Sequence, residues 1–352
     1  VAGDDRLKHG RSDDNRRRGL GWALVKSLDV KLANIHADPV GSPDFILADA
    51  KDADMAFGLA ATGIDSESGK PRSLAEFRDQ MKEVVGQGLV EIMLMSVSSC
   101  EVLAGDERLF ESSQVTPAVR ANDSTDIHML SGSSYERQPS HPLRTARIEE
   151  LREHADLALY SITPLGDSER DARALEAYRE FRREAEEVGL RHFLEVFAPN
   201  VDGRVAAEHH GRFLADFVAR SLAAVPRAGR PLFLKMPYLG AEPLEALVSY
   251  DPDLVVGVLG GSAGTTFDAF FLLQEARRHG ARAALFGRKI NRSEHQLTFV
   301  RYLRHIADGE LDAADACRAY HADLERIGLR PQRPLEDDLA LTAASAGFAE
   351  AS

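Results

Sequence analysis

Cysteine is almost absent from this chain: Cys100 and Cys317 are the only two in 352 residues. That count excludes a disulfide scaffold and a cysteine-rich zinc site, and it fits a reducing compartment. No stretch approaches the roughly 18 consecutive apolar residues that a membrane-spanning helix needs. The opening VAGDDRLKHGRSDDNRRRG holds no apolar core of the kind a secretion signal carries, so a cytoplasmic location is expected. Positive charge is in deficit, with 43 Lys plus Arg against 56 Asp plus Glu and a formal charge of -13. Such a field repels nucleic acid and anionic membrane except where a local positive pocket is built. The short basic run Arg16–Arg18 follows Asp13 and Asp14 directly and reads as part of a solvated arm.

Familiar catalytic signatures are missing too. There is no GxGxxG after the first apolar run, no GxxxxGK[ST] and no HExxH. Doubly wound nucleotide-binding folds and zincin chemistry are thereby disfavoured. The histidines form no ligand pattern, and no metal or organic cofactor is expected.

Hydrophobic residues make up 44% of the chain, enough for a large core. Short apolar runs recur at long intervals: FILA at 45–48, LVEIML at 89–94, DIHML at 126–130, ADLALY at 155–160, HFLEVF at 192–197, PLFLKM at 231–236, LVVGVLG at 254–260 and RAALFG at 282–287. Their mean spacing, about 34 residues, is the size of a strand–helix unit. Between them lie amphipathic stretches. In 204–226, Phe213, Leu214, Phe217, Val218 and Leu222 follow the three-and-four spacing of one helical stripe, and 74–87, 168–189 and 311–327 behave similarly. Continuous apolar strands alternating with helices imply a parallel sheet covered on both faces, and eight units favour a (β/α)8 TIM barrel over an open sheet.

The expected organisation is an N-terminal extension and helix over 1–40, the barrel over 41–308, and a helical addition and tail over 309–352. Residues 59–73 and 96–125 read as long loops after the first and second strands, at the rim where barrel active sites lie. In the C-terminal addition, Leu311, Ala314, Tyr320, Leu324 and Leu329 are candidate contacts of a homo-oligomer.

Lys235 is the sharpest single residue, an ammonium inside the apolar run PLFLKM. Burial there demands a partner or a lowered pKa, and a desolvated amine suits Schiff-base formation with a carbonyl. Glu195, inside the preceding run, falls near an equivalent strand position where it can hold the amine or move a proton. Asp49 ends the first run, followed by Lys51, Asp52 and Asp54, a plausible but unspecific proton-transfer cluster. After the seventh run, Gly260, Gly261, Ser262 and Gly264 open a helix beginning near Thr265 and Thr266. Backbone N–H groups and the helix dipole favour an anion there, and Gly287–Arg288 after the eighth run adds a charge-assisted contact.

In this order and spacing, residues 45–308 resemble the class I aldolases of the barrel family that includes bacterial tagatose-bisphosphate aldolase, archaeal-type fructose-bisphosphate aldolase and the autoinducer-processing thiolase-like members. The resemblance implies a Schiff-base lysine at Lys235, a first-strand aspartate at Asp49, a fifth-strand glutamate at Glu195, and phosphate loops at Gly260–Gly261–Ser262 and Gly287–Arg288. Lys51 stands where one branch has a basic residue after the aspartate. The fourth run departs from the pattern: Tyr160 falls at the first aromatic position of an archaeal YTxY-like stretch and Thr163 at the catalytic one. Tyr160, Thr163, Lys51 and Arg292 are further candidate substrate contacts. The expectation is a carbon–carbon lyase acting on a phosphorylated sugar or keto metabolite. Two alternatives stay open, a non-catalytic phosphate-binding barrel or structural partner, and a metal-dependent aldolase or isomerase.

Overall fold

Eight of the chain's apolar segments become parallel strands in the computed structural model, which describes residues 24–65, 68–123, 137–201, 204–261 and 264–342. The strands are β1 (Ile46–Lys51), β2 (Ile92–Met95), β3 (Thr116–Arg120), β4 (Leu157–Ile162), β5 (Arg191–Val196), β6 (Leu234–Lys235), β7 (Gly257–Leu259) and β8 (Ala283–Phe286). Hydrogen-bonded neighbours run β6-β5-β4-β3-β2-β1-β8-β7. The ring closes between β6 and β7, where Leu234 and Met236 donate to the carbonyls of Val255 and Gly257 and Leu259 donates back to Met236. Gly257 permits that closure, since a Cβ there would lie 2.5 Å from the Leu234 carbonyl oxygen. The architecture is a (β/α)8 TIM barrel.

Helix α1 (Ser27–Ala37) precedes the barrel. Helices α2 (Asp54–Phe57) and α3 (Leu74–Gln87) follow β1, and α4 (Val97–Cys100) follows β2, running on into a π-helical turn at Glu101–Asp106. Then come α5 (Ile148–His154), α6 (Ser168–Val188), α7 (His210–Ala223), α8 (Ala241–Tyr250) and α9 (Thr266–Arg278), one after each strand. After β8 the chain forms α10 (Arg288–Asn291), α11 (Gln296–Asp308), α12 (Ala313–Arg326) and α13 (Leu335–Asp338). Helix starts are encoded locally. Ser73 and Glu76 form a reciprocal capping box at α3, and Asp167 accepts from two amides at α6.

One sequence expectation is corrected. The third strand is Thr116–Arg120, not the run at 126–130, which lies outside the described residues together with His128. Segment 96–125 is therefore not one rim loop, since it contains α4, the π-helical turn and β3.

Two apolar layers hold the barrel. Ile46, Ala48, Ile92, Leu94, Leu157 and Leu159 fill the interior with the stacked rings of Phe193 and Phe233, whose centroids are 4.5 Å apart. Leu28, Leu32 and Ile35 of α1 join that cluster and plug the barrel's N-terminal end. The outer layer, between strands and helices, includes Leu47, Met93, Val119, Tyr160, Leu194 and Leu234. Adjacent residues of a strand thus face opposite layers, and this alternation decides which side chains can reach the mouth of the barrel.

Candidate active site

Three strands present one row of polar side chains to the interior. In the parallel register Ser161 of β4 lies opposite Glu195 of β5, and Glu195 opposite Lys235 of β6. Phe193 and Phe233, two residues earlier, belong to the interior cluster, so Glu195 and Lys235 continue that inward face to the C-terminal end. Lys235 Nζ is 2.6 Å from Glu195 Oε1, with side-chain exposures of only 8% and 2%. The other carboxylate oxygen accepts from Ser161 Oγ at 2.8 Å.

Arg120, the last residue of β3 and 1% exposed, organises the floor of the cleft. Its guanidinium reaches Asp52 Oδ2 at 2.8 Å, Ser161 Oγ at 2.9 Å, the Asn122 carbonyl at 2.9 Å and Glu195 Oε2 at 3.6 Å. Asn122 pairs back with the Ser161 backbone through both amide atoms. One buried cation thus bridges Asp52 at the β1 end and Glu195 on β5, and such charges tolerate burial only when paired and hydrogen-bonded. Asp54, just beyond, accepts from Ser96 Oγ at 2.5 Å; burial pushes its carboxyl up, against the pull of that hydrogen bond.

The cleft above this network is lined by Asp52, Arg120, Glu195, Lys235, Gly260, Gly261, Gly287 and Arg288, with Phe57, Phe197, Leu259 and Leu285 among its apolar walls. Gly287 lets the end of β8 pass close to β1, where a Cβ would lie 2.3 Å from the Ala50 carbonyl oxygen. Arg288 starts α10 and stacks over Phe57 at 5.1 Å. The structure therefore brings together Lys235, Glu195, Gly260, Gly261, Gly287 and Arg288. Ser262 lies outside the described residues.

The other candidates sit elsewhere. Asp49 and Lys51 share the outward phase of β1; Asp49 is in register with Met93 and Phe286, both in the outer layer. They form a buried ion pair, Lys51 Nζ lying 2.9 Å from Oδ2, and burial pushes the Asp49 carboxyl up while Lys51 opposes the shift. Asp52, and not Asp49, is the β1 acid of the cleft, because one residue changes the face and three residues restore the opposite phase. Tyr160 also faces outward, stacked on Phe181 at 4.5 Å, its hydroxyl pushed up to about 12 by burial. Thr163 is buried beyond β4 near Ser140 and Leu165, outside the cleft lining. Arg292 lines a separate cavity. Sequence reasoning missed Arg120, Asn122 and Ser161. Arg120 was hidden by the misplaced third strand, and Ser161 would have been found by pairing the fourth run with Glu195.

The start of α9 also differs from expectation. Its first N–H groups are taken by the chain itself: Thr265 N donates to Asp268 Oδ2 at 2.6 Å and Thr266 N to Asp338 Oδ1 at 2.7 Å. These two amides are therefore not free for an anion in the cleft.

Among the described residues, Cys317, His321 and Asp338 place metal-type ligand atoms within 4.8 Å of one another. The cluster lies between α12 and α13 and shares no residue with the cleft. Hydrogen bonding accounts for it: His321 Nε2 is 2.8 Å from Asp338 Oδ2, and burial pushes the Cys317 thiol up to about 12, away from the thiolate that a metal binds.

No family model and no curated protein matches the chain. Solved structures do. An archaeal fructose 1,6-bisphosphate aldolase superposes with a TM-score of 0.60 at 15% identity, covering 79% of this chain and 99% of that one. A second, with its catalytic lysine bound to the carbinolamine intermediate, gives 0.59 at 16% identity over 79% and 100%. The fructose-bisphosphate aldolase of Slackia heliotrinireducens gives 0.59 at 16% identity over 88% and 95%. These three neighbours are fructose-bisphosphate aldolases. At these identities the likeness shows a shared fold and leaves chemistry to the residues themselves. No described helix is long and apolar enough to cross a membrane.

Proposed function

We propose that this chain is a class I aldolase that makes or breaks a carbon–carbon bond in a phosphorylated ketose or keto metabolite through a Schiff base on Lys235. The observation that carries the reading is the Lys235–Glu195 pair, 2.6 Å apart and nearly buried at the mouth of an aldolase-type barrel. Lys235 passes a proton to Glu195 and adds as the neutral amine to the substrate carbonyl. Glu195 returns the proton to the carbinolamine oxygen, which leaves as water and yields an iminium. In cleavage, a carboxylate takes the proton of the hydroxyl beyond the scissile bond; the bonding pair moves into the iminium to give an enamine, and an aldehyde departs. Asp52, which Arg120 holds on the β1 side of the cleft, is the proposed base for that step. Protonation of the enamine carbon and hydrolysis then release the second product.

Gly260, Gly261, Gly287 and Arg288 are the proposed phosphate contacts. The phosphorylated substrate named for the structural neighbours, fructose 1,6-bisphosphate, supports that class without fixing the compound. Borohydride reduction in the presence of dihydroxyacetone phosphate, followed by peptide mass spectrometry, should place the adduct on Lys235. Activity should survive EDTA and vanish in Lys235→Ala. Trapping on another lysine, or metal-dependent turnover, would refute the proposal.

A further inference from the structure

Beside the cleft lies a second cavity, about 730 Å³ in volume, that shares no lining residue with it. Its walls come from the segment after α2, the turn after α10 and the chain after α12. Arg72, Arg292 and Arg330 line it. None of their guanidinium groups forms a hydrogen bond or ion pair with another described residue. The acid in its lining, Glu294, accepts hydrogen bonds on both oxygens, from Tyr320 Oη at 2.9 Å and the Gln332 amide at 2.7 Å. Arg72 also acts at a distance on Glu76, whose carboxylate is already held by Ser73.

Three guanidinium groups, Arg72 half-buried and Arg292 and Arg330 exposed, outnumber the one carboxylate of the lining, Glu294, so the cavity attracts an anion. The remaining wall is apolar, and Leu59 and Ile64 are 95% and 57% exposed at it. A small inorganic ion would leave that surface in water. The volume lies in the range of small-molecule sites. We propose that this cavity binds a nucleoside polyphosphate, its phosphates on Arg72, Arg292 and Arg330 and its base on the apolar wall. Guanidinium groups suit phosphate oxygens because their N–H groups are arranged as a fork. The inference is independent of the Schiff-base reading, since the two sites have no residue in common.

Calorimetric titration of ATP into the full chain tests it, with adenosine and inorganic pyrophosphate as separate arms. ATP should bind once per chain, pyrophosphate more weakly and adenosine not measurably. The double variant Arg292→Ala, Arg330→Ala should bind ATP at least tenfold more weakly while keeping its melting temperature, as should the single variant Arg330→Ala to a smaller extent. Lys235→Ala and Arg288→Ala should leave ATP binding unchanged. Absence of ATP binding, equal affinity in the double variant, pyrophosphate binding as tight as ATP, or loss of binding in Arg288→Ala would each overturn the proposal. So would a double variant that changes only the oligomeric state, because the arginines would then face another copy of the chain.

Discussion

The phase of a single strand separates Asp49 from Asp52. All six residues of β1 are buried, so no polar and apolar alternation marks which side faces the interior, and sequence alone could place an acid at the strand end without giving its direction. Lys235 and Glu195 were legible because each is an isolated charge within an apolar run, a pattern that burial makes costly without a partner. Outward-facing His192 shows the same principle in titration. It sits against Tyr178, whose hydroxyl is 2.8 Å from Nε2, and burial, aided by Arg182, lowers its pKa to about 3 from the usual 6.5. Between those values the unfolded chain takes up a proton and the folded chain does not. The stabilisation is therefore complete above pH 6.5 and falls on acidification toward pH 3, by up to about 1.4 kcal/mol per pH unit. Urea unfolding at pH 7.5 and 5 should show wild type losing about 2 kcal/mol more than His192→Gln; matching losses would mean that His192 is not held neutral.

Elements were read well where periodicity is long and poorly where it is short. Helices α3, α6, α7 and α12 fall within the amphipathic segments, since several turns of stripe average over individual exceptions. Strand β3 escaped because TPAVR carries a proline and an arginine in five residues, whereas the run at 126–130 looks more like a buried strand. The ties between elements were invisible, because they depend on residues far apart in the chain. Glu91, just before β2, is the clearest. It accepts the Leu47 amide of β1 at 2.7 Å, pairs with Lys31 of α1 at 2.7 Å and with Arg304 of α11 at 3.2 Å. It therefore joins the bottom plug, the first strand and the last barrel helix. Glu91→Ala leaves the Leu47 amide without its acceptor and takes a carboxylate from two cations that keep the Phe45 carbonyl and, for Arg304, Asp308; equilibrium unfolding should register a loss of about 2–3 kcal/mol, the scale of leaving a buried group unsatisfied. A loss below about 1 kcal/mol would show that water replaces the carboxylate.

For the molecule as a whole, the segment after Asp308 is part of the barrel's own wall and not chiefly an outward surface. Tyr320 and Leu324, two of the residues expected at a contact between copies, are fully buried. The Tyr320 ring meets Phe299 of α11 at 5.7 Å and Phe270 of α9 at 6.3 Å, both edge-on. Past α12 the chain returns to the start of α9: Asp338 accepts the Thr266 amide, the Ala340 carbonyl accepts from Thr265 Oγ1, and Thr342 donates to Asp268 through backbone and hydroxyl. These bonds fix the first turn of the helix that follows Gly260 and Gly261 in the cleft, which links the C-terminal addition to the geometry of the site. Two variants separate packing from capping. A chain ending at Asp308 bares Phe270 and Phe299 and loses the burial of Tyr320 and Leu324, together more than about 4 kcal/mol at 1.5–3 kcal/mol per large apolar side chain. That is a large part of the stability of an ordinary domain, so the truncated chain should aggregate or melt far below the full one and bind a dye for exposed apolar surface. Asp338→Ala keeps the apolar packing but removes both the acceptor of the Thr266 amide and the partner of buried His321, with an expected cost of about 2–4 kcal/mol. An unchanged melting temperature after truncation would mean that α12 only rests on the barrel, and its buried face would then have to be explained by a partner.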